Sequence, residues 1–454
     1  LNAGDSIAGG IGTDTLNLTL SGGDYTADAA FTGIEAFSVS ATGGARAFDA
    51  DGIEGVTTFT NNKGSSNLTV TNMEAVSTTL AFNKISTANT TSVTWKNAAL
   101  AGADDTVAIT LNNVTAAEII SLRSAGTNDI ENVTIESKGT LENFMGAFTV
   151  QDTGAATMSK LTITGSADLD MDDTALEFAG AATTSTATFD ASAMTGRVLV
   201  DLDETTNLRM TATGGSGNDT FDFGDSLDSN DTVNMGDGTD TIVIDSIATG
   251  TTTTLATAYS VSNTENFSIE GAASANYTIS ALGQTGLEKI IIKETGTAGT
   301  VTITNLAAGA SVQLDNTDNA QNIDTVTLSL ADATGSADSL TVAVNGTATH
   351  GTDNDVVDVA ISNVETLSIT SGIVGTTALG AAEENIIEDI SADTSLATIN
   401  VSGAEKTNIT LGAEMTSLTA FNASGATDDV TVDASGLTSA TTFTGGSRED
   451  TFTM

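Results

Sequence analysis

An all-β fold, a β-solenoid or parallel β-helix-like array of stacked coils, is what this sequence predicts, and three observations carry it. The nonapeptide GGxGxDxUx, where U is a large apolar residue, occurs at Gly9 to Asn17 (GGIGTDTLN) and at Gly214 to Asp222 (GGSGNDTFD). Short runs of Val, Ile, Leu, Phe and Thr alternate with polar residues and are separated by Gly, Asn, Asp and Ser turns almost throughout. Helical periodicity is scarce, and Ala378 to Ile390 (ALGAAEENIIEDI) is the main candidate for a short helix.

The nonapeptides come first, because each residue type in them has a task. The glycines allow tight turning with φ > 0 and leave bare carbonyls facing inward, the Asp adds a charged oxygen, and the apolar residue begins a strand. Two imperfect copies follow the second one: Ser226 to Asn234 keeps Asp231 and Val233, and Met235 to Val243 keeps Gly236, Gly238, Asp240 and Ile242. A further turn begins at Gly445 (GGSREDTFT), with Arg448 where a second turn glycine belongs.

Across 219 to 240 an acidic or amide residue stands at every third position: Asp219, Asp222, Asp225, Asp228, Asp231, Asn234, Asp237 and Asp240. No Lys or Arg lies between Thr211 and Ser260 to balance them. Such a row repels itself unless cations bridge it, and all-oxygen ligands suit a hard ion such as Ca²⁺. A lone GGxGxD can be no more than a glycine-rich turn, but copies in phase favour calcium.

A second pattern is an apolar residue, Glu, any residue, then two apolar residues two apart. It occurs around Glu35, Glu131, Glu265, Glu288 and Glu365. The later apolar pair shares one face of a strand, while the residue before Glu is in the opposite phase, so a bend beside the Glu is needed to turn both inward. A third pattern, at Phe48-Asp49-Ala50-Asp51, Phe189-Asp190-Ala191-Ser192, Phe421-Asn422-Ala423-Ser424 and Val432-Asp433-Ala434-Ser435, reads as a strand end followed by a tight turn.

The patterns recur in order at a nearly fixed offset: Glu35 to Glu265 is 230 residues, and Gly214 to Gly445 is 231. A tandem duplication follows, with a first solenoid unit over 1–213, a calcium-turn segment over 214–245, a second unit over 246–444 and the start of another turn over 445–454. Both ends fall in calcium-type turns, which suggests a piece of a longer polypeptide.

Composition agrees. The 454 residues carry 13 basic and 59 acidic side chains, a net charge of −46, yet 39% are hydrophobic and mean hydropathy is +0.07, enough to bury a core. Aromatics are only 4%, so that core is expected to be aliphatic and thin. A polyanion of this kind repels nucleic acid and anionic lipid, so neither is an expected partner. There is no Cys, so metal and coil stacking must take the place of disulfides. There is also no Pro, where average usage gives roughly 20; every peptide bond can then stay trans, which suits a chain that crosses a membrane unfolded and folds outside. No run of 18 apolar residues marks a membrane span, and no signal-peptide pattern is visible.

These residues resemble the calcium-dependent surface-layer (S-layer) proteins of Gram-negative bacteria, which carry RTX nonapeptides and leave by type I secretion. Beside the GGxGxD turns, the likeness rests on Leu328 to Asp338 (LSLADATGSAD), on Val364 to Ile369 (VETLSI) and on Phe421 to Gly446. The resemblance implies a β-solenoid with RTX calcium β-roll turns, in a structural protein of the bacterial cell surface that assembles with copies of itself into a lattice through calcium-bridged contacts. It implies metal ligation by Asp14, Asp219, Asp231, Asp240 and Asp450, beside Asp228 of the acidic row, with the turn carbonyls of Gly10, Gly12, Gly215, Gly217, Gly236 and Gly238. Lipopolysaccharide is the family's anchoring partner, through a region not visible in this sequence, and no secretion signal is visible either.

Outside the nonapeptides, Asp353-Asn354-Asp355 after Gly351 is the best additional calcium loop; Asp168/Asp170/Asp172, Asp201/Asp203, Asp104-Asp105 and Asp428-Asp429 read equally as solvated strand faces or turns. An enzyme is not expected. His350 is the sole histidine, which excludes HExxH zinc chemistry and leaves no ordinary Ser/His triad unless His350 serves; its polar surroundings read as a surface loop. Trp95 reads as core or strand surface rather than a sugar platform. Paired carboxylates on a β-helix could also serve a calcium-assisted polysaccharide lyase, but Arg197, Arg209 and Lys293 are scattered singly. The main rival to a lattice protein is the stalk of a large RTX adhesin, which differs in assembly rather than in chemistry.

Overall fold

The computed structural model describes residues 5–26, 30–152, 155–180, 184–203, 208–245, 247, 252–270, 276–294, 299–316, 323–332, 334–346, 354–374, 384–392 and 394–454. The chain is a parallel β-solenoid that divides into two compact units, Leu1–Asp240 with Ser260–Asn263, and Thr241–Tyr259 with Thr264–Met454.

In the first unit an eleven-stranded sheet runs from Thr15–Leu20 to Val261–Ser262. Facing strands, from Arg46–Asp49 to Thr220–Asp222, form the second sheet. Strands alternate between the sheets, so each pairs with the next but one in sequence, as in Thr58–Asn62 with Thr79–Asn83 and Leu68–Met73 with Thr90–Trp95. Among the described residues pairing is parallel except where Ala155–Ala156 folds back on Asn143–Asp152.

Strict register turns alternation into stacked columns. Phe37, Phe59, Leu80, Ile109, Ile135 and Ile163 sit opposite one another on successive coils, each no more than 4% exposed. In the second unit a nine-stranded sheet runs from Thr252–Thr254 to Thr451–Thr453, opposed by strands from Thr241–Ile244 to Thr442–Thr444. Its column is mostly aliphatic: Ile290, Val312, Val342, Ile369 and Val401 are in register behind Phe267, and all are buried. Trp95 belongs to the core, fully buried, with its indole N–H donating to Ala75 O at 3.2 Å.

Each Glu of the second pattern stands immediately before a strand: Ala36–Ala41, Asn132–Lys138, Asn266–Ile269, Lys289–Glu294 and Thr366–Ile373. Ile34, Ile130 and Val364, the apolar residues before Glu, are buried, so the chain does bend there. The third pattern divides. Strands end at Asp49 and Asp433, whereas at Asp190 and Asn422 the strand continues through a bulge. In all four the Asp or Asn oxygen accepts the backbone N–H two residues on, at 2.9 to 3.2 Å.

The helix expected over Ala378 to Ile390 is corrected. Residues 378–383 lie outside the described residues, and Asn385–Ala392 is a strand paired in parallel with Asn354–Ser362 and Thr407–Leu411. Ile387 and Ile390 are buried in that strand across a register shift, and the spacing of three that this bulge creates imitates a helical period. Among the described residues helix is confined to single turns, Asn97–Leu100 and Leu255–Ala258.

Candidate metal centre: the carboxylate turns

The nonapeptide Asp always sits one residue before a strand, where the ladder of sheet hydrogen bonds has not yet begun. Asp219 precedes Thr220–Asp222, Asp231 precedes Thr232–Asn234, and Asp450 precedes Thr451–Thr453. One oxygen reaches the coil before: Asp219 Oδ1 accepts Val198 N–H at 2.8 Å, Asp231 Oδ1 accepts Met210 N–H at 2.7 Å, and Asp450 Oδ1 accepts Val430 N–H at 3.1 Å. Asp240 Oδ1 accepts Asp219 N–H at 2.7 Å in the same way.

The second oxygen closes the residue's own turn. Asp219 Oδ2 accepts Gly215 N–H at 2.8 Å, Asp231 Oδ2 accepts Asp228 N–H at 2.7 Å, and Asp450 Oδ2 accepts Gly446 N–H at 2.7 Å. Asp228 also accepts from Asn230, at 2.6 Å from its backbone N–H and 3.0 Å from its side-chain amide. Asp219, Asp231 and Asp240 are nearly sealed from solvent. Burial pushes the Asp219 and Asp231 carboxyls above the usual carboxylate range, against the pull of their backbone N–H donors.

The glycines are required for two different reasons. Gly10, Gly12, Gly236 and Gly238 hold φ of 98°, 130°, 95° and 144°, as the turn reading expects. Gly215 and Gly217 are not left-handed; there the constraint is close approach, since a Cβ on Gly215 would lie 2.3 Å from Met194 O and one on Gly217 2.5 Å from Gly196 O. Carbonyls of one coil thus press on glycines of the next, with Gly217 O 2.2 Å from where a Gly238 Cβ would be.

Calcium needs roughly six to eight oxygens. Among the described residues no three Asp, Glu or His side chains converge, so turn carbonyls would have to supply most of a shell. The first nonapeptide fits best. Asp14 Oδ2 is buried with no hydrogen-bond partner, and it shares with Gly33 O the space that a Cβ on Gly9 would fill, at 2.8 and 1.9 Å. Donor chemistry and an orphaned carboxylate oxygen both suit a hard cation there. At Asp219, Asp231 and Asp450 a cation would have to replace a backbone N–H bond. In the last turn Arg448 lies 3.9 Å from Asp428.

Asp353 and His350 lie outside the described residues, and Asp355 falls within the strand Asn354–Ser362. Of the remaining acidic groups, Asp170 is pushed up to about 6 by burial and by its neighbour Asp172, and Arg197 pairs with Glu142. A site that sequence reasoning missed is Glu118. It is fully buried, accepts the Thr91 hydroxyl at 2.6 Å, and is raised to about 7 by burial; Thr91 in turn accepts from Asn61 at 3.0 Å. Its place in the alternating pattern, two before the buried Ile120, was the available signal. No family model matches the chain, and no curated protein matches it.

Proposed function

We propose that this chain is a structural protein of a bacterial surface layer, a calcium-organised solenoid that assembles with its own copies into a two-dimensional array outside the cell. The observation that carries the reading is the location of the carboxylate turns. Those at Asp14, Asp219, Asp231 and Asp240 are built into the joint between consecutive coils, so a bound cation would act on stacking itself rather than in a substrate pocket.

The charge supports it. With net −46, the chain resists compaction and self-association until cations offset it, which makes external calcium a natural condition for both. Weak sites of extracellular affinity would each add only about 1 kcal/mol at millimolar calcium, so several acting together decide the outcome.

Electron microscopy of the purified chain, with millimolar calcium and after chelation, tests the reading while circular dichroism reports the fold. Two-dimensional sheets that dissolve in chelator are expected. Isolated rods in calcium would point instead to an adhesin stalk, and sheets that persist in chelator would refute the role of the metal.

A further inference from the structure

Lys63 and Lys84 occupy corners where the backbone is left-handed, with φ of 53° and 54°. Asn113 and Asn363 make such corners on other coils at 55° and 61°. Each corner at Lys84, Asn113 and Asn363 is followed by a buried apolar residue, Ile85, Val114 or Val364. After Gly, Asn tolerates this conformation best, so the backbone gives no reason for lysine, and the ammonium group is what distinguishes these two corners.

The two lysines are neighbours. Asn62 is in register with Asn83, and Lys63 N–H donates to Asn83 O at 2.9 Å, so the corners repeat at the strand spacing of about 4.8 Å. Lys138, opposite Asn112, continues the basic edge and pairs with Glu136 at 2.8 Å. Among the described residues neither Lys63 nor Lys84 has a carboxylate within ion-pair distance, and both are exposed. Their chain neighbours Asn62 and Asn83 line a trough of about 540 Å³ together with Asn112 and Lys138, and there Asn83 donates to Asn62 at 2.9 Å and Asn112 donates to Asn83 at 3.1 Å. For a chain with 13 basic residues against 59 acidic ones, this is a concentrated cationic column.

The second unit carries its opposite. Asp358 and Asp389 are in register on adjacent strands, and neither has a basic partner among the described residues. The Asp389 carboxyl is held above its ordinary range by burial and then by the negative charges of Glu414 and Asp358, the mark of an acidic column that nothing offsets.

We propose that the Lys63–Lys84 column of one copy docks on the Asp358–Asp389 column of a second copy. The inference rests on the array reading and names one of its contacts. Both columns repeat at strand spacing, so two ion pairs form together, where one exposed pair alone is worth little. Because the two patches differ, the contact is heterologous and leaves a free patch of each kind at either end, the geometry that propagates rather than closes.

Sedimentation of the full chain at low and at physiological salt tests this. Self-association that weakens with salt is expected. Lys63→Asn with Lys84→Asn should fold at least as well as the parent and weaken association by roughly tenfold or more. Asp358→Asn with Asp389→Asn should do the same, and copies carrying Lys63→Glu and Lys84→Glu should associate with copies carrying Asp358→Lys and Asp389→Lys, though neither kind associates alone. Parent-like association of the lysine-to-asparagine variant overturns the proposal, as does a parent that stays monomeric at every salt and calcium level. Alginate is the probe for the other possible occupant: lysine-dependent alginate binding with unchanged self-association would assign the column to a glycan and overturn the proposal. Salt-sensitive association without sheets in the microscope would keep the contact and remove the array.

Discussion

Glu35 Oε2 accepts the backbone N–H of Asp14, one coil earlier, at 2.9 Å, and this is the bond Asp219 makes to Val198 at 2.8 Å. Glu131 holds Asp105 N–H and Glu365 holds Asp338 N–H in the same way, each at 2.8 Å. In every case the carboxylate stands one residue before a strand and takes the N–H of its counterpart on the preceding coil. Two sequence motifs that look unrelated therefore do one job, joining coils where the ladder has not begun. The Glu version does it with a carboxylate alone, and the Asp version adds a glycine turn.

Removing such a staple should cost more than removing a similar surface acid. Glu131→Ala or Glu365→Ala strands a part-buried N–H and should lower unfolding free energy by about 1–3 kcal/mol, while Glu→Gln keeps an acceptor and should cost less. Glu288→Ala is the control, because Glu288 is exposed; it should stay within about 0.5 kcal/mol. Denaturant titration of the three variants checks this, and equal losses at Glu288 and Glu365 would remove the staple from the account.

How far the sequence reveals this depends on whether a signal is local. The strands, the buried Ile34, Ile130 and Val364 before their Glu residues, and the left-handed Gly10, Gly12, Gly236 and Gly238 follow from period and residue type within a few positions and appear as read, whereas Leu287 is only half-buried and Gly215 and Gly217 are held by contact instead. The carboxylate staples are invisible to any local pattern, since their partners lie 21 to 27 residues away. The same limit hides the hydroxyl donor of Glu118, Thr91 on another coil, although the alternation that sets Glu118 two before the buried Ile120 is local. At 385–392 a bulge mimicked a helical period, which only pairing with flanking strands could resolve.

The glycines divide into those held by conformation and those held by contact. Gly10→Ala meets nothing within 4 Å and should cost only the backbone penalty of a φ of 98°, about 1–2 kcal/mol. Gly217→Ala has an acceptable φ but drives a Cβ to 2.5 Å from Gly196 O, so coils must separate, and the loss should exceed that at Gly10. Thermal unfolding of both variants gives the order, and a milder effect at Gly217 would mean that the coils part easily.

Glu118 sets a pH dependence of its own. Burial holds its folded-state value at about 7, above the ordinary 4.5, so between these values the folded chain retains a proton that the unfolded chain has lost. Stability from this group is therefore present below about 4.5 and lost as pH rises through 7. Glu118→Gln keeps the shape and removes the titration, so near pH 8 it should stabilise by up to about 2–3 kcal/mol and near pH 4 by little. Urea titrations of parent and variant at both pH values decide it; equal stability differences would place the carboxylate in a wetter site than the core.

Asp14 and Asp219 should respond oppositely to calcium, because one has an oxygen to spare and the other does not. Asp14 Oδ2 makes no hydrogen bond, whereas both Asp219 oxygens hold backbone N–H groups on two coils. Without calcium, then, Asp14→Asn should leave stability almost unchanged or raise it slightly, and Asp219→Asn should lower it by about 1–3 kcal/mol by presenting an amide N–H₂ to a donor. With millimolar calcium the order changes: Asp14→Asn loses the metal's stabilisation, about 1 kcal/mol for one weak site, and falls behind the parent. Melting curves of parent and both variants, in calcium and in chelator, carry the comparison. If Asp14→Asn gains as much from calcium as the parent does, the orphaned oxygen is not a ligand, and the cation must enter where backbone N–H bonds give way.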